Sequence, residues 1–210
     1  MTSVKGKAAN RRTAKARETR TRMLDAAREL FVERGYGATT LAEVAEAAGV
    51  AVQTIYFTFG NKRALLKEMV DVTIAGDDEP VATMDRRWFQ DALAAPTAAA
   101  QLRAQVAGSC ATLDRVAPII KMLTLAASSD PEITGLWPDA DPRYTVLSTS
   151  AAALVAKPDA RPGVTAADAA DRLYAILSPE LYLMLVRERG WSPERYTEWA
   201  FDTLRPQLCA

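Results

Sequence analysis

The sequence predicts an all-α protein in two parts, a small N-terminal unit of helix-turn-helix type and a larger C-terminal helical body. Three observations carry this. No stretch sustains the alternation of apolar and polar residues that marks a strand, while Ala and Leu, both strong helix formers, recur throughout. Pro96, Pro118, Pro131, Pro142, Pro162 and Pro193 punctuate the C-terminal part, mostly where helices would start. The stretch from Thr40 to Lys62 reads as a helix, a glycine turn and a second helix. A length of 210 residues with 49% hydrophobic content suits one small domain and one medium one.

Residues 1–17 are polar, basic and poor in large apolar side chains, so they are expected to be a disordered arm. The formal net charge of the chain is zero, but it is unevenly spread. Within residues 1–22, eight Lys and Arg side chains stand against Glu18 alone, a local net of +7, so the rest of the chain carries −7. Such asymmetry concentrates attraction for phosphate at one end, with Arg20 and Arg22 closest to the helical unit. The arm can follow a DNA backbone or enter a minor groove; it can also be a plain solubilising tail.

The first helix is expected from about Glu18 to Arg34, with Leu24, Ala27, Leu30 and Phe31 as its inner stripe and Gly35 as its stop. Thr40 followed by Glu43 is a capping box. Leu41, Val44, Ala45 and Ala48 then form one apolar face, and Gly49 ends the helix. The next helix spans about Val52 to Thr58. Ile55 and Phe59, four apart, face inward. That leaves Val52, Gln53, Thr54, Tyr56 and Phe57 on outward and flanking faces, the geometry of a recognition helix in a major groove. Gln53 suits an adenine edge, Thr54 a base or phosphate, Val52 or Phe57 a thymine methyl, and Tyr56 a phosphate oxygen. Gln53 also reads as an ordinary solvated helix residue. Asn61 caps a fourth helix running to about Ile74, and Lys62 at its start is placed to reach a phosphate. The run Gly76-Asp77-Asp78-Glu79-Pro80 closes the unit, giving domains at 18–76 and 81–210, with the helix-turn-helix at about 40–59.

From Arg22 to Asp71 the sequence resembles the DNA-binding domain of the tetracycline-repressor (TetR) family. The residues that carry the likeness are Ala26-Ala27, Leu30-Phe31, Gly35-Tyr36, Thr39-Thr40, Val44-Ala45, Ala48-Gly49-Val50, Thr54-Ile55-Tyr56, Phe59 and Asn61 to Leu66. The resemblance implies a homodimeric transcriptional regulator, usually a repressor released from a palindromic operator by a small ligand. It also implies phosphate contacts at Thr40, Tyr56 and Lys62 and base contacts from the Val52–Phe57 helix. Ala51, Thr58 and Gly60 depart from residues common in the family at those positions, which leaves the operator sequence unspecified.

In the body, helices are expected near 81–95, 97–115, 117–128, 142–157, 165–189 and 193–207, with residues 129–142 as the longest irregular stretch. From Leu173 to Val186 the chain is apolar on nearly every side and holds Pro179, which should kink it. A helix apolar all round needs cover on all sides. Leu173, Leu177, Leu181 and Leu185, with Tyr196 and Trp199 of the next helix, are therefore read as a dimer interface, a large monomeric core being the alternative. Met84, Trp88, Phe89, Met122, Leu123, Trp137 and Tyr144 are candidates for an effector pocket with a mainly apolar ligand, and equally plain core.

With no histidine, the commonest general base and metal ligand is missing. No carboxylate pair or glycine-rich phosphate loop forms a motif, so no catalytic residue, metal or cofactor is expected. Cys110 and Cys209 show no metal or redox spacing and read as free thiols of a cytoplasmic protein. No apolar run suits a signal peptide or a membrane span. The rival readings are a dimeric DNA-binding protein without an effector and, more remotely, a helical enzyme.

Overall fold

The computed structural model describes residues 4–76, 82–136 and 142–210. Helix accounts for 79% of the chain, and the described residues hold no strand, only one isolated bridge between Ala160 and Cys209. The fold is all-α, as the sequence predicts. Two compact units divide it: residues 1–71 with 122–136, and residues 72–121 with 137–210.

The first unit begins with α1 (Val4–Arg34), which buries Met23, Leu24, Ala27, Leu30 and Phe31 along one stripe. The arm expected to be disordered is helical from Val4 onward. Its Ala, Lys and Arg residues all favour helix, and the Thr19 and Thr21 hydroxyls donate back to the carbonyls of Lys15 and Arg17. Residues 13–18 remain exposed. Thr39 is buried, and its hydroxyl donates toward the Gly35 carbonyl at 3.0 Å, fixing the turn after α1. Helix α2 (Leu41–Ala48) opens on the expected capping box: Thr40 Oγ1 accepts from Glu43 N, and the Glu43 carboxylate accepts from Thr40 N at 2.7 Å. Gly49 closes α2 with φ 66°, a left-handed conformation a side chain would strain. Helix α3 (Val52–Phe59) starts at Ala51 without a side-chain cap, and α4 (Lys62–Ala75) starts with Asn61 Oδ1 accepting from Ala64 N at 2.9 Å.

The second unit contains α5 (Arg87–Leu93), most of α6 (Ala98–Ser129), α8 (Pro142–Val155), α9 (Ala166–Ile176), α10 (Pro179–Tyr182) with a π-helical continuation over Leu183–Glu188, and α11 (Pro193–Leu208). The end of α6 and the short α7 (Pro131–Thr134) belong to the first unit, where Met122 and Ile133 are buried. Two expectations fail here. Pro118 does not divide α6: it removes one backbone bond, but Leu113, Ala117 and Ile119 around it are buried, and their packing carries the helix through. The helix expected over 165–189 is broken rather than kinked. Pro179 ends α9 and starts α10, with Ser178 Oγ accepting from Leu181 N as a new cap. The carbonyls freed at the break are then satisfied from elsewhere: Arg143 donates to Tyr174 O at 3.1 Å and Leu177 O at 3.3 Å, and the Tyr196 hydroxyl donates to Ile176 O. The core beneath is Leu102, Val106, Leu147, Leu154, Leu173, Tyr182, Tyr196 and Leu204 with their neighbours.

Two local arrangements lock this unit. Asp159 accepts from Ala98 N at 2.7 Å, capping α6 across 61 residues of sequence, while Ala210 N donates to the Asp159 carbonyl. Gly108 of α6 lies so close under Trp88 that a Cβ there would come within 2.3 Å of the indole.

Gly108→Ala should lower stability by about 1–2 kcal/mol, overpacking outweighing the helix propensity that Ala gains. In a Trp88→Ala background the same change should become stabilising, as read by urea melts. The amide of Ala98 holds the Asp159 carboxyl below its ordinary value near 3.8, so its contribution is present above that pH and lost as pH falls through it. Asp159→Asn should therefore melt below the wild type at pH 7, and the gap should narrow as pH falls below the ordinary carboxyl value.

Candidate nucleic-acid interface

Which residues α3 shows outward follows from which two it hides. Ile55 is fully buried and Phe59 nearly so. On a helix turning 100° per residue, that places Gln53, Tyr56, Phe57 and Thr58 outside, with Val52 and Thr54 on the flanks, half-buried. Tyr56 is 54% exposed and Phe57 93% exposed, the latter far more than any other large apolar side chain of the chain's described residues. A bare phenyl ring on a small, well-anchored helix costs solvation unless it meets a partner. Gln53 beside it offers a donor and an acceptor.

The surrounding side chains hold this helix more than they extend it. Arg34 lies 3.4 Å from Glu43, whose carboxyl is held below its ordinary value first by the Thr40 amide and then by the Thr40 hydroxyl. Thr40 is exposed, but its hydroxyl is engaged with Glu43 at 2.8 Å, so a phosphate there competes with the capping box. Lys62 departs further from its expected role. Its ammonium donates to the Tyr36 carbonyl and sits 4.2 Å from the centre of the Tyr36 ring, and burial pushes its pKa down. It therefore ties the start of α4 to the turn after α1 instead of standing free for phosphate. Arg20 likewise pairs with Glu68 of α4 and lies 6.0 Å from the Phe59 ring, buttressing the hidden side of α3. Arg22 is exposed, with only a long contact to Thr19 Oγ1 at 3.4 Å, and remains open toward solvent. Sequence alone did not find Arg63, which pairs with Asp130 and Glu132 and joins α4 to residues more than sixty positions on. Nothing in local spacing signals such a pair.

The other expected sites fare differently. Leu173, Leu177 and Tyr196, expected at a dimer interface, are instead buried in the core of the chain itself, because the break at Ser178 folds α9 and α10 onto that core. Leu181, Leu185 and Trp199 stay partly exposed beside Met184, which is 44% exposed. The residues expected to line a pocket fall in both units. Met122 and Leu123 fall in the first unit, Phe89 is fully buried, and Met84 and Trp88 are half-buried near it. Tyr144 lies 3.0 Å from Asp171 and packs on Tyr174, while Trp137 lies outside the described residues. Cys110 and Cys209 are free and buried, and burial raises the Cys110 thiol to about 11, which makes it inert as a nucleophile.

Comparison with known proteins places this geometry. Residues 23–69 match the family model described as bacterial regulatory proteins, tetR family. Over 56 residues the chain is 45% identical to the HTH-type transcriptional regulator TtgR of Pseudomonas putida, a match covering 27% of each protein. Over 54 residues it is 46% identical to the uncharacterized regulator YvkB of Bacillus subtilis, covering 26% of this chain and 29% of YvkB. The sequence likeness thus spans little more than a quarter of these relatives' length. Solved structures extend the fold further. NalD, the secondary repressor of the MexAB-OprM multidrug efflux pump in Pseudomonas aeruginosa, aligns over 93% of this chain and 97% of its own, with TM-score 0.62 and 21% identity. A putative transcriptional regulator from Saccharomonospora viridis, solved with choline, aligns over 92% and 98% with TM-score 0.68 and 21% identity.

Lys62→Met should cost about 1–2 kcal/mol of stability, from one lost charged hydrogen bond and one cation–π contact, measured by urea melts of the whole protein. Arg22→Ala should leave the melt unchanged.

Proposed function

We propose that this chain, whose N-terminal unit belongs to the tetR family of bacterial regulatory proteins, is a homodimeric transcriptional repressor that leaves a palindromic operator when a small molecule binds its C-terminal unit. The carrying observation is the outward face of α3: Phe57 and Tyr56 exposed beside Gln53, on a helix fixed by Ile55 and Phe59. Phe57 meets thymine methyls, Gln53 reads an adenine edge, and Tyr56 and the Arg22 side of α1 contact phosphates. Thr54 and Val52 flank the contact.

Two copies are needed because one eight-residue helix reads only half a site, and a two-fold dimer spaces the two helices about one DNA turn apart. Leu181, Met184, Leu185 and Trp199 are among the apolar residues left to cover another subunit. The effector reading is supported by the relatives' solved complexes, one with choline and one, FadR of Bacillus subtilis, with stearoyl-CoA. A ligand that binds one arrangement of the dimer better than another shifts the population away from the DNA-competent state. The second reading, a dimer without an effector, is favoured if the body proves filled and unresponsive. No catalytic step is assigned, since the matched relatives are named as regulators.

The test is a salt titration of binding to DNA flanking the protein's own gene, against a scrambled duplex of the same composition. Palindrome-dependent binding at physiological salt is the expected outcome; equal, weak binding to both duplexes would refute the assignment for that site. Phe57→Ala and Gln53→Ala should each reduce specific affinity about 10- to 100-fold with little effect on the scrambled duplex, whereas Tyr56→Phe should weaken both alike.

A further inference from the structure

Helix α6 carries two glutamines where its neighbours are pure core. Gln101 is fully buried and Gln105 is 1% exposed, between Leu102, Val106 and Cys110. They stand four residues apart, one turn along a single face. A buried amide needs partners for both its ends. Gln101 Nε2 donates to the Ser150 carbonyl at 2.8 Å. A carbonyl only accepts, so this bond fixes which end of the amide is nitrogen. Gln105 Nε2 donates to Ser109 Oγ at 2.9 Å. The oxygens, Gln101 Oε1 and Gln105 Oε1, are both buried and receive no hydrogen bond from the protein. Leu or Met would fill the same volume without that cost. One turn further on the same face, Gly108 lets the half-buried indole of Trp88 lie against the helix.

We infer that Gln101 and Gln105 form the polar end of the effector site, and that the effector is a neutral molecule with an apolar body presenting hydroxyl or amide N–H donors along one edge. This rests on the effector reading proposed above and gives it a chemical class. An anionic group would face two carbonyl oxygens and be repelled. A wholly apolar ligand would leave both oxygens unpaired. A donor-bearing ligand satisfies them in the dry interior, where such bonds discriminate most strongly. Trp88 supplies an apolar wall one turn away.

The test uses the full-length protein and a matched pair of probes, 1-naphthol and 1-methoxynaphthalene, which differ in having or lacking a donor. The wild type should bind 1-naphthol at least about tenfold more tightly, by titration calorimetry and by rise in Tm. Gln101→Met and Gln105→Met keep the volume and remove the oxygens. Each should reduce that preference severalfold, and the double variant should abolish it. Equal binding of the two probes, a preference that survives the double variant, or no binding of 1-naphthol up to its solubility would overturn the proposal. Operator release by both probes without discrimination would leave the effector reading standing while this assignment falls.

Discussion

The outward face of α3 rests on the burial of two side chains. Ile55 and Phe59 lie one turn apart on a helix of only eight residues, too short to persist on its own propensity. Anchored in the unit formed with α1, α2 and α4, they set the rotation of α3 about its axis. Everything it exposes follows from that rotation, including a phenyl ring with almost all of its surface in water. Gly49 sets the turn between α2 and α3, and the Thr40–Glu43 box fixes where α2 begins. Lys62 and Arg20 then hold α4 and α1 against it. The cations nearest the site thus serve largely to make it rigid. Rigidity is useful where the contact depends on presenting a few side chains with little freedom to lose.

The second unit solves a different problem. A long apolar stretch containing proline cannot stay a continuous helix, and breaking it frees carbonyls in a dry core. Arg143 and Tyr196 reach across to satisfy them, and Arg143 also lies against the Tyr174 ring at 3.6 Å. The same pattern governs the chain end, where Arg161 and Arg172 donate to the carbonyls of Pro206 and Gln207 in the last turn of α11. Against this background of satisfied backbone groups, the two amide oxygens of Gln101 and Gln105 are exceptions, buried without a protein partner.

Much of the local structure is legible in the residues themselves. The capping box, the glycine stop after α2, the asparagine cap of α4 and the spans of α8 and α11 all depend on side chains within a few positions of each other. The outward set on α3 is legible for the same reason, since helical period alone decides it. What misled was charge and proline. A lysine at a helix start reads as a phosphate ligand until a carbonyl twenty-six residues away claims it. Pro118 reads as a boundary until the burial around it keeps the helix whole.

Sequence by itself determined the helical class, the helix-turn-helix and the identity of the face that α3 exposes, because each is encoded by short-range periodicity and capping. Tertiary structure alone decided which basic residues are structural ties, which leucines of the 173–185 stretch are core and which remain as surface, and that Gln101 and Gln105 are sealed inside with their oxygens unpaired. Those outcomes depend on groups far apart in the chain, and on competition between solvation and a partner that only packing brings within reach.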